Sequence, residues 1–575
     1  MTNAQTAHGP SLRGRFEQIS LETMFRNVPR LPVLVLVAQA VALGCIGQIG
    51  DGSPDGKGPG GPGHEVPPGV QNESPTTAIP RLSQREVERS IVDVFGIVGA
   101  AEKNLAADPK IAVNPANKAE VEVFDTLAAT KSPSQVFVDG MESLAFEVAR
   151  DFSADTGAVD ALAGCTPVQP LDDACLRSLI ETVGLRLWRR PMEGAEVDAL
   201  VAAAAPLASD PAAGAAGHYV AVRAAIAALI MSPEFVYRSE IGEPAAEGVV
   251  RLGNHELVAR LSYFLWGTAP SPDLLVRASG ADLSDADVAD MVDEMMADAR
   301  GVEQMRAFHA LWLRYTNLLI TDADLAADMR AETDALVERA LGGEGGDWTQ
   351  LFTSKETFAT PALAAHYGLA EPGEQAWIAS GEGRAGLLSH GSFLSLSQTK
   401  QTDTLPSRRG AMIGRRLLCQ VILPPPKDVA IDKGVPVPEG ACKIEAYEAH
   451  AGGTCQGCHA TIDGIGFGFE RYDGVGRYRE IEQENASCEI EGVGSFAGQS
   501  FSGPSEFVAE NMDAISDCAV VNLLRFAVRD WNASEGRVEQ MASAFRDSGH
   551  DFAALMRAVA VDPLFRHRRD GEASQ

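Results

Sequence analysis

Residues 82–96 read LSQREVERSIVDVFG, and this stretch carries the helical signals that decide the fold class. Ser83 and Glu86 form a capping box, in which each side chain can accept a hydrogen bond from the other residue's backbone amide. The apolar residues that follow share one helical face: Val87, Ile91, Val94 and Phe95. Gly96 is a natural helix stop. The stretch therefore predicts an amphipathic helix that packs on a core.

The same spacing recurs through much of the chain. One helical region is predicted from about Leu176 to Arg238, with Ser232 as a cap and Pro233 at the first helical position. Another runs from Asn254, interpreted as a cap, to about residue 369. Its apolar stripes are interpreted as core: Leu257, Val258, Leu261, Phe264 and Leu265, then Phe308, Leu311, Trp312 and Tyr315.

Helical periodicity returns after Phe501, and again from Phe552 to Val561. Residues 385–480 differ, because glycine is frequent and the prolines of 424–426 break any helix. Few stretches alternate as strands do. The predicted fold class is mainly α, with several small helical domains and one irregular segment.

The irregular segment contains Cys455-Gln456-Gly457-Cys458-His459, which has the spacing of a c-type haem attachment site. Two thiols at this spacing can each form a thioether with a haem vinyl group, and the histidine is then the proximal iron ligand. Haem c is therefore the expected cofactor, and the segment is expected to be cytochrome-c-like. Two alternatives remain open: a disulfide between the two cysteines, and an irregular zinc site that adds Cys442 and His450.

Residues 24–45 resemble a bacterial lipoprotein signal peptide. Basic residues precede an apolar run from Leu31 to Leu43, which is too short to span a bilayer. Cys45 ends the run, as the lipidated cysteine of a lipobox does, although Ala42 stands where Leu is usual. The prediction is a lipid anchor at Cys45 in the cell envelope, at the outer membrane or in the periplasm. An ordinary cleaved signal and an uncleaved anchor are the alternatives.

Residues 46–79 are rich in Gly and Pro and predict a flexible tether. Export also changes how the other cysteines are interpreted, because disulfides form in oxidising compartments. Six remain outside the haem and lipid motifs: Cys165, Cys175, Cys419, Cys442, Cys488 and Cys518. They allow up to three disulfides, of which Cys165 and Cys175 can close a local loop. The pairing of the other four stays open.

The formal net charge is −31, with 79 acidic and 48 basic residues. So large an acidic excess argues against nucleic-acid binding, which uses Lys and Arg against phosphates. No nucleic-acid partner is expected. The expected partners are the membrane, through the lipid, and a redox protein of unknown identity.

Residues 454–479 read TCQGCHATIDGIGFGFERYDGVGRYR, and this segment resembles the cytochrome-like domain of large planctomycete and myxobacterial surface proteins. Those proteins combine domains of unknown function in a set order. The resemblance implies a leader and linker followed by five domains: 24–45 leader, 46–79 linker, 80–150 (DUF1587), 172–238 (DUF1595), 250–375 (DUF1592), 385–482 (DUF1588) and 498–570 (DUF1585). Glycine at 464 departs from the family's usual proline, which predicts a looser loop after His459.

The predicted function is electron transfer by an exported lipoprotein with one covalent haem; no catalytic residue is identified, and enzyme activity is left undecided. The alternative is a non-haem surface protein, structural or ligand-binding, whose cysteines form disulfides. The distal iron ligand is not predicted. The methionines and the histidine weighed for that role are more consistent with packing or surface residues than with ligands: Met412, Met512, Met541, Met556 and His390.

Overall fold

The structure is a computed structural model of the chain. It describes residues 79–113, 120–127, 134–209, 216–316, 318–342, 347–397, 404–422, 435–450, 456–483, 485–530 and 535–569. The predicted leader, Cys45 and nearly all of the 46–79 tether lie outside these residues.

Helices dominate the described residues, as the sequence predicts. In chain order they are α1 (Gln84–Phe95), α2 (Ala100–Asn104), α3 (Gln135–Ala154), α4 (Thr156–Ala163), α5 (Asp173–Trp188), α6 (Gly194–Ala208), α7 (Gly217–Met231), α8 (Pro233–Val236), α9 (Asn254–Leu265), α10 (Pro272–Ala278), α11 (Asp285–Ala297), α12 (Ala299–Leu313), α13 (Ala323–Leu341), α14 (Gln350–Thr353), α15 (Pro361–Tyr367), α16 (Gly391–Leu394), α17 (Pro406–Leu417), α18 (Lys443–His450), α19 (Gln456–Phe467), α20 (Gly503–Val528), α21 (Glu535–Asp547), α22 (Phe552–Val561) and α23 (Pro563–Arg566). Short 3-10 turns flank α16 at Leu387–Ser389 and Ser395–Ser397.

The strands are short and antiparallel. They are β1 (Ile111–Val113), β2 (Glu120–Glu122), β3 (Glu243–Ala246), β4 (Val249–Arg251), β5 (Glu356–Ala359), β6 (Ala376–Ala379), β7 (Val493–Phe496), β8 (Gln499–Ser502) and β9 (His567–Arg569). Most pair with their chain neighbour, but β4 also pairs with β9. This pairing fixes the end of the described chain beside the start of α9.

Local sequence explains α1 well. The Ser83 hydroxyl accepts from the Glu86 amide, and the Glu86 carboxylate accepts from the Ser83 amide at 2.9 Å. Gly96 adopts φ +70°, a left-handed conformation that favours glycine. The predicted apolar face is buried. The capping box, the core face and the stop of this helix are therefore all confirmed.

The described residues divide into two compact units. The smaller comprises 152–182 and 192–228, and the larger comprises 79–151, 183–191 and 229–569. The larger unit holds one extended core to which both predicted apolar stripes contribute. Of the residues in those stripes, only Leu311 is partly exposed. The interpretation of the stripes as core is confirmed.

Two local predictions are wrong. Gly253, and not Asn254, occupies the cap of α9, because the Glu256 carboxylate accepts from the Gly253 amide at 2.8 Å. The Asn254 side chain instead donates to the Ala281 carbonyl. In the second case, Gly464 lies inside α19 and not in a loosened loop. A side chain at 464 would collide with the Ser495 carbonyl of β7, so the close packing of the helix on this strand requires glycine.

None of the described helices combines the length and apolar character needed to cross a membrane.

Candidate functional site

Six cysteines form three disulfides: Cys165–Cys175, Cys419–Cys518 and Cys442–Cys488. These are the six residues from which the sequence predicts up to three disulfides, and that prediction is confirmed. The predicted local pair closes a short loop in the smaller unit. The pairings left open by the sequence join residues 99 and 46 positions apart in the larger unit.

The cysteine motif lies at the start of α19. Cys458 is in the first turn, with an exposed side chain and a free thiol. Cys455 lies outside the described residues. The disulfide of Cys442 with Cys488 removes a Cys442 thiolate from the irregular zinc set. Within the described part of the chain, no group of three or more His, Cys, Asp and Glu side chains is placed to hold a metal ion.

His459 follows Cys458 on α19 and is half-buried. Its Nδ1 lies 2.9 Å from Oδ2 of Asp463, one helical turn along. The Ser407 hydroxyl at the start of α17 donates to the other oxygen of the same carboxylate. The Asp463 side chain is itself buried, with 10% exposed. A buried carboxylate therefore receives one hydrogen bond from the histidine and another from the serine.

Close packing of α17 on α19 brings Ser407 to Asp463. A Cβ at Gly410 would collide with the Ile462 carbonyl, and one at Gly466 with the Pro406 carbonyl. Glycine at both positions lets the two helix backbones approach more closely than ordinary side chains allow. The serine is thus held against a carboxylate that lies 56 residues later in the chain.

This arrangement fixes the tautomer of the neutral His459 ring. A hydrogen bond from Nδ1–H to a carboxylate stabilises the neutral tautomer with the proton on Nδ1, which places a lone pair on Nε2. That is the form in which histidine binds a metal through Nε2, and the carboxylate makes the ring a stronger donor. The imidazole and the adjacent Cys458 thiol are two of the three groups in the predicted haem motif, and the third, Cys455, lies outside the described residues.

A buried ionic cluster supports the same domain and was not predicted. The Arg409 side chain of α17 is fully buried and donates to the carbonyls of Phe469 and Tyr472. Burial alone would raise the pKa of Glu470, but the charges of Lys443, Arg409 and Arg479 outweigh it and lower that pKa below its usual value. The cluster joins parts of the chain far apart in sequence, so no local pattern could indicate it.

The methionines considered as distal ligands are mainly core residues. Met412, Met541 and Met556 are buried, and Met512 is partly buried against the same core. His390 is buried too, with Nδ1 2.9 Å from the Thr333 hydroxyl, and burial lowers its pKa to about 3. The expectation that these five residues serve packing agrees with their positions.

The aromatic and arginine residues after the motif also have structural partners. Phe469 and Tyr472 belong to the main core, while Phe467 packs edge-on against Tyr447. The Arg471 side chain donates to the Tyr478 hydroxyl at 2.9 Å, and Arg477 lies 3.5 Å from His366 Nδ1. These contacts account for residues that could otherwise be assigned to haem binding.

A cavity of about 290 Å³ lies elsewhere, between α1 and α12. Arg89, Trp266, Arg300 and Glu303 contribute to its lining, and no residue of the 455–463 segment does. The Arg300 guanidinium covers the Trp266 ring, with 3.6 Å between its carbon and the ring centroid.

Comparison with known proteins finds three family models in the chain. Each model is described as a protein of unknown function. The DUF1595 model matches residues 175–240, the DUF1592 model matches residues 252–369, and the DUF1588 model matches residues 384–482. No curated protein and no solved structure shows significant similarity. The domains predicted at 80–150 and 498–570 stay predictions.

The DUF1588 match contains the whole site, from Ser407 to Asp463, and all four residues of the buried ionic cluster lie in the same match. The resemblance inferred from sequence is confirmed for these three domains and their order. The chain therefore carries the DUF1595, DUF1592 and DUF1588 domains in succession.

Proposed function

We propose that the chain is an exported protein of the cell envelope that carries one covalent c-type haem on its DUF1588 domain and transfers electrons. One observation carries this proposal: a free Cys458 thiol stands beside a histidine whose Nδ1 is hydrogen-bonded to a buried carboxylate. Three disulfides pair six of the nine cysteines, and the three outside them are Cys45, which is predicted to be lipidated, and the two cysteines of the haem motif.

The residues of the motif would divide the binding of the haem between them. Cys455 and Cys458 would hold it through thioethers, and His459 through Nε2. When bound, the haem supplies one-electron redox chemistry. Asp463 keeps the His459 proton on Nδ1, and Ser407 holds Asp463 in place by occupying its second oxygen. These two residues therefore orient the ligand and tune its basicity.

Export is supported by the disulfides. Two of them join distant parts of the larger unit, and such bonds persist in oxidising compartments. Covalent haem attachment takes place in the same setting in bacteria. Lipidation at Cys45, followed by the 46–79 tether, would hold the folded domains near a membrane surface, at the outer membrane or in the periplasm. A membrane lipid and a redox protein are then the partners.

The three disulfides give more direct support to a second candidate function. In this alternative the chain is a non-haem surface protein, structural or ligand-binding, and its cysteines only stabilise it. Domains matched only to models of unknown function fit this alternative equally well. The two candidates differ in the fate of Cys455 and Cys458, so one experiment on these residues separates them.

The experiment expresses the full chain with its own leader in a host that matures c-type cytochromes. The haem proposal predicts a Soret band and a haem stain that survives denaturation. Cys455→Ala with Cys458→Ala should abolish the stain. The matched control, Cys165→Ala with Cys175→Ala, also removes two cysteines and should keep it. A colourless, folded wild-type protein would refute the haem proposal and leave the second candidate.

A further inference from the structure

The larger unit buries two carboxylate–guanidinium pairs close to one another. Arg529, which ends α20, directs both terminal nitrogens at the Glu86 carboxylate of α1. Arg260 of α9 binds the Glu240 carboxylate through Nε, at 3.1 Å, and through Nη2. All four side chains are at most 3% exposed. Each pair is neutral as a whole, and each makes the paired contacts that buried ions need.

Arg238 adds a third guanidinium without a third carboxylate. Its side chain is 2% exposed, and Nη2 lies 2.6 Å from Oε1 of Glu240, which Arg260 already binds. Its Nε and Nη1 are buried, and no described group accepts a hydrogen bond from either nitrogen. A buried, charged donor left without an acceptor loses its hydration without compensation, which destabilises the folded state.

Neighbouring groups do not balance this charge. Burial, and then the repulsion of Arg529, lower the pKa of Arg238 to about 9, so the side chain remains protonated at neutral pH. Arg189 and Arg568 are also buried close by, but they donate to backbone carbonyls and bring no negative charge. The cluster therefore contains more buried guanidinium groups than carboxylates.

We propose that a small inorganic anion of chloride size binds against Arg238 inside this cluster. A buried water could accept from one nitrogen, but it would leave the excess positive charge unbalanced. A monovalent anion supplies both the acceptor and the missing charge. A small one is favoured because the surrounding charged side chains are almost wholly buried.

The position of the site gives the anion a structural consequence. Glu86 comes from the first described helix, Arg238 and Glu240 follow α8, Arg260 lies on α9, and Arg529 ends α20. These residues span most of the larger unit in sequence. An anion that binds the folded unit and not the unfolded chain stabilises it by mass action, so halide should raise the melting temperature, and the rise should become logarithmic in halide concentration above Kd.

The test uses the purified full chain. Its melting temperature is measured while chloride replaces gluconate at constant ionic strength, and crystals grown in bromide are examined for anomalous scattering. We expect a rise of about 2–4 °C that follows ln(1 + c/Kd), where c is the chloride concentration, and a bromide peak within hydrogen-bond distance of Arg238. Arg238→Met should remove the rise. Arg409→Met is the matched control, because Arg409 is equally buried but donates to carbonyls, and it should keep the rise.

Two results would overturn the proposal. One is a folded Arg238→Met protein that keeps the same chloride dependence as the wild type. The other is bromide-grown wild-type crystals with no anomalous peak beside Arg238, which would assign the unpaired nitrogens to water. The bromide experiment on wild-type crystals tests the anion site even if Arg238→Met does not fold.

Discussion

His309 on α12 is completely buried, and both of its ring nitrogens meet neutral groups, whereas His459 on α19 is half-buried and its Nδ1 meets a carboxylate. Nδ1 of His309 lies 2.7 Å from the Met305 carbonyl, and its Nε2 accepts from the Trp348 indole at 3.1 Å. The His309 ring is also packed among aromatic side chains.

The difference shows how environment divides one residue type between two tasks. A histidine whose two nitrogens are both satisfied inside an aromatic core can only support the fold. A histidine at the edge of the core whose Nδ1 is hydrogen-bonded to a carboxylate has the kind of partner that metal-ligating histidines commonly have. The comparison predicts that substitutions at His309 mainly lower stability, and that substitutions around His459 mainly change the reduction potential of the proposed haem.

The largest expected effect is on stability. His309→Ala should destabilise the larger unit by about 4 kcal/mol, because it opens a cavity in the aromatic core and leaves the Trp348 N–H without its acceptor. His459→Ala should cost about 1–2 kcal/mol, because it removes one hydrogen bond of the Asp463 carboxylate, which keeps the other from Ser407. Calorimetric melting of both variants measures the difference. Equal losses would break the proposed distinction between the two histidines.

The next effect is on pH dependence. Burial lowers the pKa of His309 to about 4 in the folded protein, against 6.5 when unfolded. The unfolded chain therefore binds this proton first as the pH falls. The stability that depends on a neutral His309 is complete above pH 6.5 and is lost progressively towards pH 4, by about 3 kcal/mol.

Melting temperatures from pH 7.5 to 4 would measure this loss in the wild type and in His309→Gln. Burial also lowers the pKa of His390, so protonation of His390 at low pH destabilises both proteins alike. The difference between the two melting curves therefore isolates the contribution of His309. Parallel curves would show that His309 does not titrate as its burial requires.

A smaller effect is expected at His459, the histidine of the proposed haem site. Asp463→Asn keeps a hydrogen-bond acceptor for His459 Nδ1 but removes the negative charge. The Nε2 lone pair of His459 then donates electrons less strongly to the iron. In the haem-loaded protein the reduction potential should rise by roughly 40 mV, which corresponds to about 1 kcal/mol for one electron. Potentiometric titration measures it. An unchanged or lower potential would show that Asp463 does not act on His459.

Ser407→Ala should give the smallest shift, with the opposite sign. Without the serine hydroxyl, the Asp463 carboxylate becomes a stronger acceptor and pulls more strongly on the His459 proton. The potential should then fall by less than it rises in Asp463→Asn. The same titration measures both variants. A shift in the same direction for both would indicate a general disturbance of the α17–α19 contact.

Local patterns predicted the parts of the fold that depend on neighbours in sequence. The capping box of α1 and the helix Phe552–Val561 are found as expected, because their signals lie within a few residues. The prediction of Asn254 as the helix cap is wrong because the Glu256 carboxylate accepts from the Gly253 amide. The helix therefore begins with Gly253 as its cap, one residue earlier than predicted, and residue type alone does not distinguish these two positions. Gly464 was misinterpreted because its reason, the Ser495 carbonyl, lies on a later strand.

The site follows the same rule. The motif at Cys455, Cys458 and His459 is local and was recognised from its spacing. Asp463 could have been recognised from its position one helical turn after His459, but Ser407 could not, because the contact depends on close packing of two helices. The pairing of Cys419 with Cys518 likewise joins distant residues, and even counts of cysteine leave such pairs undetermined.

The most direct test of the central proposal is mass spectrometry of the exported, purified chain after digestion. The account predicts a peptide containing Cys455, Cys458 and His459 whose mass is increased by one haem, with neither thiol open to alkylation. The same peptide without added mass, from correctly folded protein with its three disulfides intact, would contradict the proposal and leave a disulfide-stabilised, non-haem protein.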